Sequence, residues 1–266
     1  MNFQPKLKEV EMKNMVKNIC AAMVISLCAA GHLFATENNP NNDNKFMEEN
    51  LNLIQEWDKT FPQSDKVNHK KITFHNRYGI TLAADLYVPK NVTGKLPAIA
   101  ISGPFGAVKE QASGLYAQTL AERGFLTIAF DPSYTGESSG QPRYVASPDI
   151  NTEDFSAAVD YLSTRDDVDA ERIGILGICG WGGMALNAAA IDTRIKATVT
   201  ATMYDMSRVN ANGYFDSMNA DARHELRRQL NAQRTEDYRN GTFALGGGVV
   251  DPLPADAPQF VKDYHT

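Results

Sequence analysis

The chain has few cysteines and no excess of positive charge. Three of its 266 residues are cysteine, and its 26 lysines and arginines are outnumbered by 32 aspartates and glutamates, which gives a formal net charge of -6. The basic residues do not gather into a long patch, so we expect no nucleic-acid partner. The five histidines show no metal-ligand spacing, so we predict neither a metal nor a cofactor. These absences leave a small molecule as the expected partner.

The longest apolar run lies near the amino terminus. Lys13 and Lys17 precede an apolar run over residues 19–34, which is the pattern of a secretory signal peptide. The run is short and rich in small residues for a membrane span, although an uncleaved anchor remains the alternative. We predict that residues 1–35 are a signal peptide and that residues 36–65 form a disordered leader and a short amino-terminal helix. The protein is then periplasmic or secreted, without stable membrane association after cleavage.

Cleavage of that signal peptide leaves one cysteine, Cys179, in an oxidising compartment. A single cysteine forms no internal disulfide, and a buried structural cysteine is the ordinary interpretation. Its context favours another one, because an apolar strand pattern over residues 173–178 runs into Cys179-Gly180-Trp181-Gly182-Gly183. Glycines allow a sharp strand-to-helix turn of the kind called a nucleophile elbow, here residues 177–183 (hereafter the elbow). The helix amino terminus favours a thiolate and an oxyanion. We therefore predict that Cys179 is a nucleophile and that the Gly180 N–H stabilises the oxyanion.

The remaining pattern alternates strand and helix. Such alternation predicts an α/β protein with a mostly parallel sheet flanked by helices. Two antiparallel strands are expected first, at one edge of the sheet, and crossover helices should connect the strands that follow. The predicted strands are 70–75, 80–88, 97–101, 125–130, the strand before Cys179 and 196–203, and the predicted helices are 109–123, 151–163 with Thr152 as its cap, 182–190 and 216–234.

Three further stretches carry a family resemblance. Together with the elbow, the stretches Ser102–Gln111 (SGPFGAVKEQ), Phe130–Ser138 (FDPSYTGES) and Met203–Arg208 (MYDMSR) resemble a bacterial group of uncharacterised hydrolases. That group lies in the dienelactone hydrolase-like branch of the α/β-hydrolase superfamily, whose nucleophile is cysteine. The resemblance covers roughly residues 66–205. It implies an α/β-hydrolase domain over residues 66–266 in which the elbow follows the fifth strand.

The resemblance also implies a second oxyanion donor in the loop after the third strand. We assign it to the N–H of Phe105, because Pro104 has no N–H to give, and Gly106 is the alternative. Asp131 and Ser138 are interpreted as turn residues. Trp181 stands at a position where such an elbow usually has a small residue.

A nucleophile of this family further requires an acid and then a histidine, in that chain order. Asp205 follows the strand after the elbow, although a turn aspartate is the alternative, and His265 is the only histidine in the right order that could end a triad. We expect His69 and His75 to be surface residues of an edge strand and His224 to be solvated.

No further pair of buried strands follows Asp205 in the sequence. We interpret residues 206–266 as a cap-like helical segment with an incomplete carboxyl terminus, so the last strands of the sheet are expected to be missing. The expected function is hydrolysis of a small carboxylic ester or lactone. One alternative is a truncated, non-catalytic protein of the same fold. Another is a dinucleotide-binding oxidoreductase, because residues 180–185 match G-x-G-x-x-A.

Overall fold

The computed structural model describes residues 49–245, and its strands form one six-stranded sheet. The strands are β1 (Val67–His75), β2 (Thr81–Pro89), β3 (Leu96–Ser102), β4 (Leu126–Phe130), β5 (Val168–Ile178) and β6 (Ile195–Ala201). Their order across the sheet is β1-β2-β4-β3-β5-β6. Strand β2 is antiparallel to β1 and β4, while β3, β4, β5 and β6 run parallel. The predicted α/β class is thereby confirmed.

Helices cover both faces of the sheet. They are α1 (Ala112–Ala121), α2 (Pro148–Ser163), α3 (Gly180–Ile191), α4 (Met206–Asn212) and α5 (Ala220–Asn240), with a short 3-10 helix at Tyr214–Asp216. Phe155 of α2 and Ala185 of α3 belong to the core on one face, and Ala117 of α1 belongs to the core on the other. Strand β4 is buried along its whole length, as expected for a strand covered on both faces.

Several predicted helix boundaries are corrected by the structure. The helix predicted over residues 182–190 spans Gly180–Ile191, and the helix predicted over residues 216–234 spans Ala220–Asn240. The helix expected to begin at Asn151 with Thr152 as its cap begins instead at Pro148 after Ser147, and Thr152 lies inside it. Proline at a first helical position has its φ already set for a helix. The helix expected from Lys109 begins at Ala112, because Lys109 makes contacts outside any helix.

The predicted amino-terminal segments fall largely outside the described residues. The predicted signal peptide lies entirely in residues 1–48, which the structure does not describe. The described part of the predicted leader, residues 49–65, is neither helix nor strand. It is held against the domain by backbone contacts, including the N–H of Thr60, which donates to the Glu110 carbonyl oxygen at 3.0 Å.

The four parallel strands place their following loops at one edge of the sheet. Strand β3 ends at Ser102, β4 at Phe130, β5 at Ile178 and β6 at Ala201. In open α/β sheets, ligands bind outside the carboxyl ends of such strands. This edge carries Cys179 and all three stretches of the resemblance.

Candidate active site

Cys179 occupies a strained turn between β5 and α3. Its backbone has φ 57° and ψ −126°, a region that non-glycine residues seldom adopt and that is common at functional sites. The Cys179 N–H donates to the Ala201 carbonyl oxygen at 2.9 Å, and the Cys179 carbonyl oxygen accepts from the N–H groups of Gly182 and Tyr204 at 3.0 and 3.2 Å. The surrounding fold therefore holds the strained residue from both sides. The thiol is half-buried.

The glycines around Cys179 are required by close packing. A Cβ on Gly177 would lie 2.8 Å from the Gly182 Cα, and a Cβ on Gly182 would lie 2.7 Å from the Met203 Cγ. Side chains at these positions would separate β5, α3 and the turn after β6. The match of residues 180–185 to a dinucleotide fingerprint thus has a packing explanation that needs no nucleotide.

Two backbone donors lie on the elements beside Cys179. Gly180 is the first residue of α3, where an N–H has no partner within the helix. The N–H groups of Gly180 and Phe105 have no protein acceptor within residues 49–245. The Phe105 loop reaches the elbow, because a Cβ on Gly103 would lie 2.9 Å from the Trp181 Cβ and would also clash with the Ile178 carbonyl oxygen. The structure thus brings the predicted oxyanion loop and the predicted nucleophile together.

Apolar side chains surround this turn. The rings of Phe105 and Trp181 meet edge to face, with centroids 4.8 Å apart at 87°. A Cβ on Gly180 would lie 2.5 Å from the Phe105 Cδ2 and 3.2 Å from the Met206 Cγ. The nearest walls are therefore aromatic and thioether groups, which suit the apolar part of an acyl group.

Asp205 caps the short helix α4. Its carboxylate accepts from the Arg208 N–H at 2.9 Å and from the Ser207 hydroxyl at 2.6 Å. The hydrogen bond from Ser207, and to a smaller extent that from the Arg208 N–H, lowers the pKa of Asp205. These local contacts agree with the turn role of Asp205, which the sequence left open as the alternative to a catalytic one. His265, the predicted histidine of the triad, lies outside the described residues.

The histidines within residues 49–245 lie far from Cys179 in the sheet or on an exposed helix. His69 and His75 belong to β1, four strands from β5, a separation of roughly 19 Å at the usual strand spacing. The expected surface position of His69 is wrong, since its side chain is 12% exposed and its Nε2 lies 2.7 Å from the Asp85 Oδ1. Asp85 is fully buried on β2, which explains why His69 turns inward. His224 is exposed on α5, as predicted.

The sequence analysis did not predict a buried ion-pair network that joins the loops after β3 and β4. The side chain of Lys109 is fully buried, and its Nζ lies 2.8 Å from the Asp131 Oδ2, 2.6 Å from the Glu137 Oε2 and 2.6 Å from the Glu110 Oε1. Burial lowers the pKa of Lys109, but the charges of Asp131 and Glu110 more than reverse this effect and hold it above its ordinary value. Lys109 is therefore a buried ammonium ion.

The predicted turn residues of the loop after β4 hold this network in place. Asp131 accepts from the backbone N–H groups of Lys109 and Glu137 at 2.8 and 2.9 Å. The Ser138 hydroxyl donates to the Asp131 carbonyl oxygen at 2.7 Å and accepts from the Ala83 N–H at 2.8 Å. Their interpretation as turn residues is confirmed, and Asp131 additionally pairs with the Lys109 ammonium.

One carboxylate cluster within residues 49–245 is compact enough for a metal ion. It consists of Asp58, Glu110 and Glu137, whose ligand atoms lie within 4.8 Å of one another. The Nζ of Lys71 lies 2.8 Å from Asp58, 3.3 Å from Glu110 and 2.7 Å from Glu137. A lysine ammonium already supplies the positive charge that this cluster requires, so the donor set does not favour a metal.

Among residues 49–245, no helix combines the length and the apolar character that a transmembrane span requires.

Comparison with known proteins places this architecture among relatives. The uncharacterised protein PA2218 of Pseudomonas aeruginosa is 60% identical over 246 residues, which cover 92% of this chain and 65% of that protein. Its crystal structure gives a TM-score of 0.78 at 64% identity and covers 82% of this chain and 68% of that chain. The uncharacterised protein YcjY of Escherichia coli is 43% identical over 207 residues, 75% of this chain and 67% of YcjY. The chain thus spans about two thirds of the length of these relatives.

The fold and the family agree with the elbow geometry. The structure of the α/β hydrolase GrgF from Penicillium gives a TM-score of 0.50 at 23% identity, covers 64% of this chain and 55% of that chain, and confirms the α/β-hydrolase fold. The family model described as X-Pro dipeptidyl-peptidase (S15 family) matches residues 78–244, which include every strand from β2 onward. The chain therefore belongs to the family described as X-Pro dipeptidyl-peptidase (S15 family), and it has the α/β-hydrolase fold.

Proposed function

We propose that this protein is a hydrolase of small carboxylic esters or lactones and that its nucleophile is the thiolate of Cys179. One observation carries the proposal: Cys179 has φ 57° and ψ −126° at the amino end of α3, directly beside backbone N–H groups without acceptors. A turn of this kind lifts the apical side chain above the sheet and points the helix amino terminus at the reacting atoms. The S15 family and the α/β-hydrolase fold agree with hydrolytic chemistry.

The chemistry follows from these groups. The Cys179 sulfur attacks the carbonyl carbon of the substrate, a C–S bond forms, and the carbonyl π electrons move to the oxygen. The N–H groups of Gly180 and Phe105 donate to that oxyanion, at about 3 to 4 kcal/mol of transition-state stabilisation per donor in comparable sites. Collapse of the intermediate expels the alcohol, which takes up a proton, and leaves a thioester on Cys179. Water then attacks the thioester and releases the carboxylic acid and the thiol.

The proton steps require a base. We keep the family order of nucleophile, acid and histidine as part of the proposal, with Asp205 and His265 as the candidates that the sequence offers. His265 is a candidate by chain order alone. Asp205 lies in the turn after β6, and its neighbour Tyr204 donates its N–H to the Cys179 carbonyl oxygen at 3.2 Å. Assignment to the dienelactone hydrolase-like branch also belongs to the proposal, and the cysteine at the elbow supports it.

Hydrolysis of p-nitrophenyl butyrate by the purified chain tests the proposal. We expect turnover that falls to the uncatalysed rate in Cys179→Ala and that is abolished when the thiol is alkylated with iodoacetamide. Cys179→Ser serves as the matched variant, because it keeps a smaller nucleophile in the same turn. Equal hydrolysis by wild type and Cys179→Ala, with both proteins folded by circular dichroism, would contradict the role of the thiol.

The description of the S15 family supplies a second substrate class for the same assay. Alanyl-prolyl-p-nitroanilide presents an amide after a proline, and p-nitrophenyl butyrate presents an activated ester without a peptide. The nearest walls, formed by Phe105, Trp181 and Met206, are apolar and suit an acyl chain, so we expect the ester to be preferred. Faster cleavage of the anilide would replace the ester assignment with a peptidase.

A protein that binds acyl compounds without turnover is the second candidate. A groove of about 560 Å³ beside β6 favours it. The groove is lined mostly by apolar residues of β3, α1, β5 and β6, and Val199 there is 54% exposed. This candidate predicts strong binding of a hydrophobic dye and no ester hydrolysis. A sharp cooperative melt without dye binding would count against it.

We also propose a periplasmic or secreted location. The motivation is the apolar run after Lys13 and Lys17. Fractionation of bacterial cells expressing the full chain, followed by sequencing of the mature amino terminus, tests it. Cleavage near residue 35 is the expected result, and an intact amino terminus in the cytoplasm would contradict it.

A further inference from the structure

The loop that carries Phe105 is anchored at both ends. At its start, the Gly103 backbone lies against the elbow, so close that a Cβ there would lie 2.9 Å from the Trp181 Cβ. In the middle, the Phe105 ring packs edge to face on Trp181, with centroids 4.8 Å apart. At its end, the Lys109 N–H donates to the Asp131 Oδ1 at 2.8 Å. These contacts leave the backbone between Gly103 and Lys109 little freedom.

The Lys109 side chain strengthens the second anchor. Its ammonium group bonds the same carboxylate that accepts its own N–H, with Nζ 2.8 Å from the Asp131 Oδ2. Asp131 is itself fixed, because its Oδ2 also accepts the Glu137 N–H at 2.9 Å. Glu110 and Glu137 complete the surroundings of the ammonium at 2.6 Å each. The loop after β3 is thereby bound to the loop after β4 through both the backbone N–H and the side-chain ammonium of Lys109.

The burial of this ion pair is not explained by stability alone. Transfer of an ammonium and a carboxylate from water to a protein interior carries a large desolvation penalty, and well-packed apolar side chains often replace such pairs without loss of stability. An ion pair does, however, fix direction and distance in a way that an apolar contact does not. The side chains of Lys109 and Asp131 are both fully buried, and they join the loop after β3, which reaches the elbow, to the loop after β4.

We infer that Lys109 is a positioning residue of the oxyanion hole: its contacts with Asp131 hold the 103–109 loop so that the Phe105 N–H reaches the oxyanion formed at Cys179. The inference rests on the proposed acyl-transfer function. It assigns Lys109 no contact with substrate. Loss of its side chain should leave the thiol as reactive as before and weaken only the step in which an oxyanion forms.

Two reactions of one thiol separate these effects. Alkylation of Cys179 by iodoacetamide displaces iodide from a saturated carbon and forms no oxyanion. Acylation of Cys179 by p-nitrophenyl acetate passes through a tetrahedral oxyanion and releases nitrophenolate. Both rates are measured under single-turnover conditions for wild type and Lys109→Met. Wild type should undergo both reactions, and the ratio of the two rates reports the oxyanion hole without any need for multiple turnovers.

We expect Lys109→Met to acylate about 10- to 100-fold more slowly, somewhat less than the loss of a whole donor, with an unchanged alkylation rate. In steady state the loss should appear in kcat and leave KM nearly constant. Lys59→Met is the matched control, because the Lys59 side chain is equally buried and pairs with Asp85 at 3.0 Å but lies outside the loop. The control should keep the wild-type ratio. Lys109→Arg, which retains the charge, should recover part of the acylation rate.

The inference would be overturned if Cys179 in Lys109→Met were acylated at the wild-type rate. It would also be overturned if Lys59→Met lost as much of the acylation rate as Lys109→Met. If Lys109→Met does not fold, Asp131→Asn carries the test: asparagine keeps one oxygen for the Lys109 N–H but replaces the Oδ2 that accepts from the Lys109 Nζ and the Glu137 N–H with an amide group that cannot accept. It should slow acylation and spare alkylation, and an unchanged ratio would again overturn the inference. Wild type that is alkylated but never acylated would instead contradict the proposed function, and with it this role of Lys109.

Discussion

The rings of Phe105 and Trp181 pack edge to face, with centroids 4.8 Å apart, and so join the loop after β3 to the first turn of α3. The Trp181 side chain is 4% exposed. This contact explains why the elbow tolerates a large residue where related turns have a small one. The indole fills the space between the loop that carries Phe105 and the core.

Substitution of Trp181 tests this packing. The Trp181 Nε1 is buried without a hydrogen-bond partner in the described part of the chain, so the ring matters for its volume and not for its N–H. We expect Trp181→Ala to lower the free energy of unfolding by about 3 to 5 kcal/mol, through the lost contacts and the cavity left behind. Trp181→Phe should cost about 1 to 2 kcal/mol. Urea unfolding measures both. Equal losses would show that the indole N–H has a role that packing does not explain.

A pair of glycines separates close packing from backbone strain. Gly103 and Gly124 both have φ +98°, but a Cβ on Gly103 would lie 2.9 Å from the Trp181 Cβ, whereas a Cβ on Gly124 would meet nothing within 4 Å. Alanine at either position carries the strain of a positive φ, about 1 to 2 kcal/mol. Gly103→Ala should cost about 1 to 3 kcal/mol more because it overpacks the elbow.

Thermal or urea unfolding of both variants checks this prediction, and acylation of Cys179 provides a second readout. Gly124→Ala should leave acylation unchanged, since Gly124 lies before β4 and away from the elbow. If the two variants are equally stable, the oxyanion loop does not lie against the elbow as described.

The ion pairs of Asp58 predict a pH dependence of stability. Burial raises the pKa of Asp58, but hydrogen bonds from Lys59 and Lys71 outweigh this effect and lower it from 3.8 to about 2. A carboxyl with a lowered pKa in the folded state stabilises the fold above its unfolded pKa, and this contribution disappears as the pH falls through its folded pKa. The advantage of wild type over Asp58→Asn should therefore be complete above about pH 5 and decline between pH 3.8 and about 2.

Chemical denaturation of both proteins at a series of pH values measures this difference. The comparison cancels the contributions of the other carboxyl groups, which titrate in both proteins. A stability difference that stays constant from pH 5 to about pH 2 would show that Asp58 is not stabilised in its charged form.

The conformations that depend on local sequence were predictable. Glycine-rich turns, continuous apolar strands and the order of helices and strands follow from residues close together in the chain, and so did the elbow at Cys179. The start of α2 was predicted three residues late, because Pro148 was not recognised as the first helical position. Here a local signal was present and was given too little weight.

Contacts between distant residues were not predictable. Lys109 meets Asp131 across 22 positions of sequence, and Lys71 meets Glu137 across 66. Neither spacing forms a motif, and a lysine at a predicted helix start is ordinarily solvated. His69 was misjudged for the same reason, since its partner Asp85 lies on the neighbouring strand and is fully buried. Tertiary pairing decides the burial of such groups.

The role of Asp205 is decided by two substitutions. As the cap of α4 it accepts from the Arg208 N–H, and asparagine caps helices as well as aspartate does. If Asp205 acts only as this cap, Asp205→Asn should retain wild-type stability and Cys179 acylation, and Asp205→Ala should lose about 1 kcal/mol of stability. An acid of a catalytic triad behaves differently, because the asparagine variant then loses activity at full stability. That outcome would establish Asp205 as the acid.

The site of covalent acylation tests the role of Cys179 most directly. The purified chain is mixed briefly with p-nitrophenyl acetate, quenched in acid and digested, and the peptides are analysed by mass spectrometry. We predict one acetyl group on the peptide that contains Cys179, removable by hydroxylamine as a thioester is, and absent from Cys179→Ala. Acetylation confined to lysine side chains, with Cys179 unmodified, would contradict the claim that this cysteine is the nucleophile.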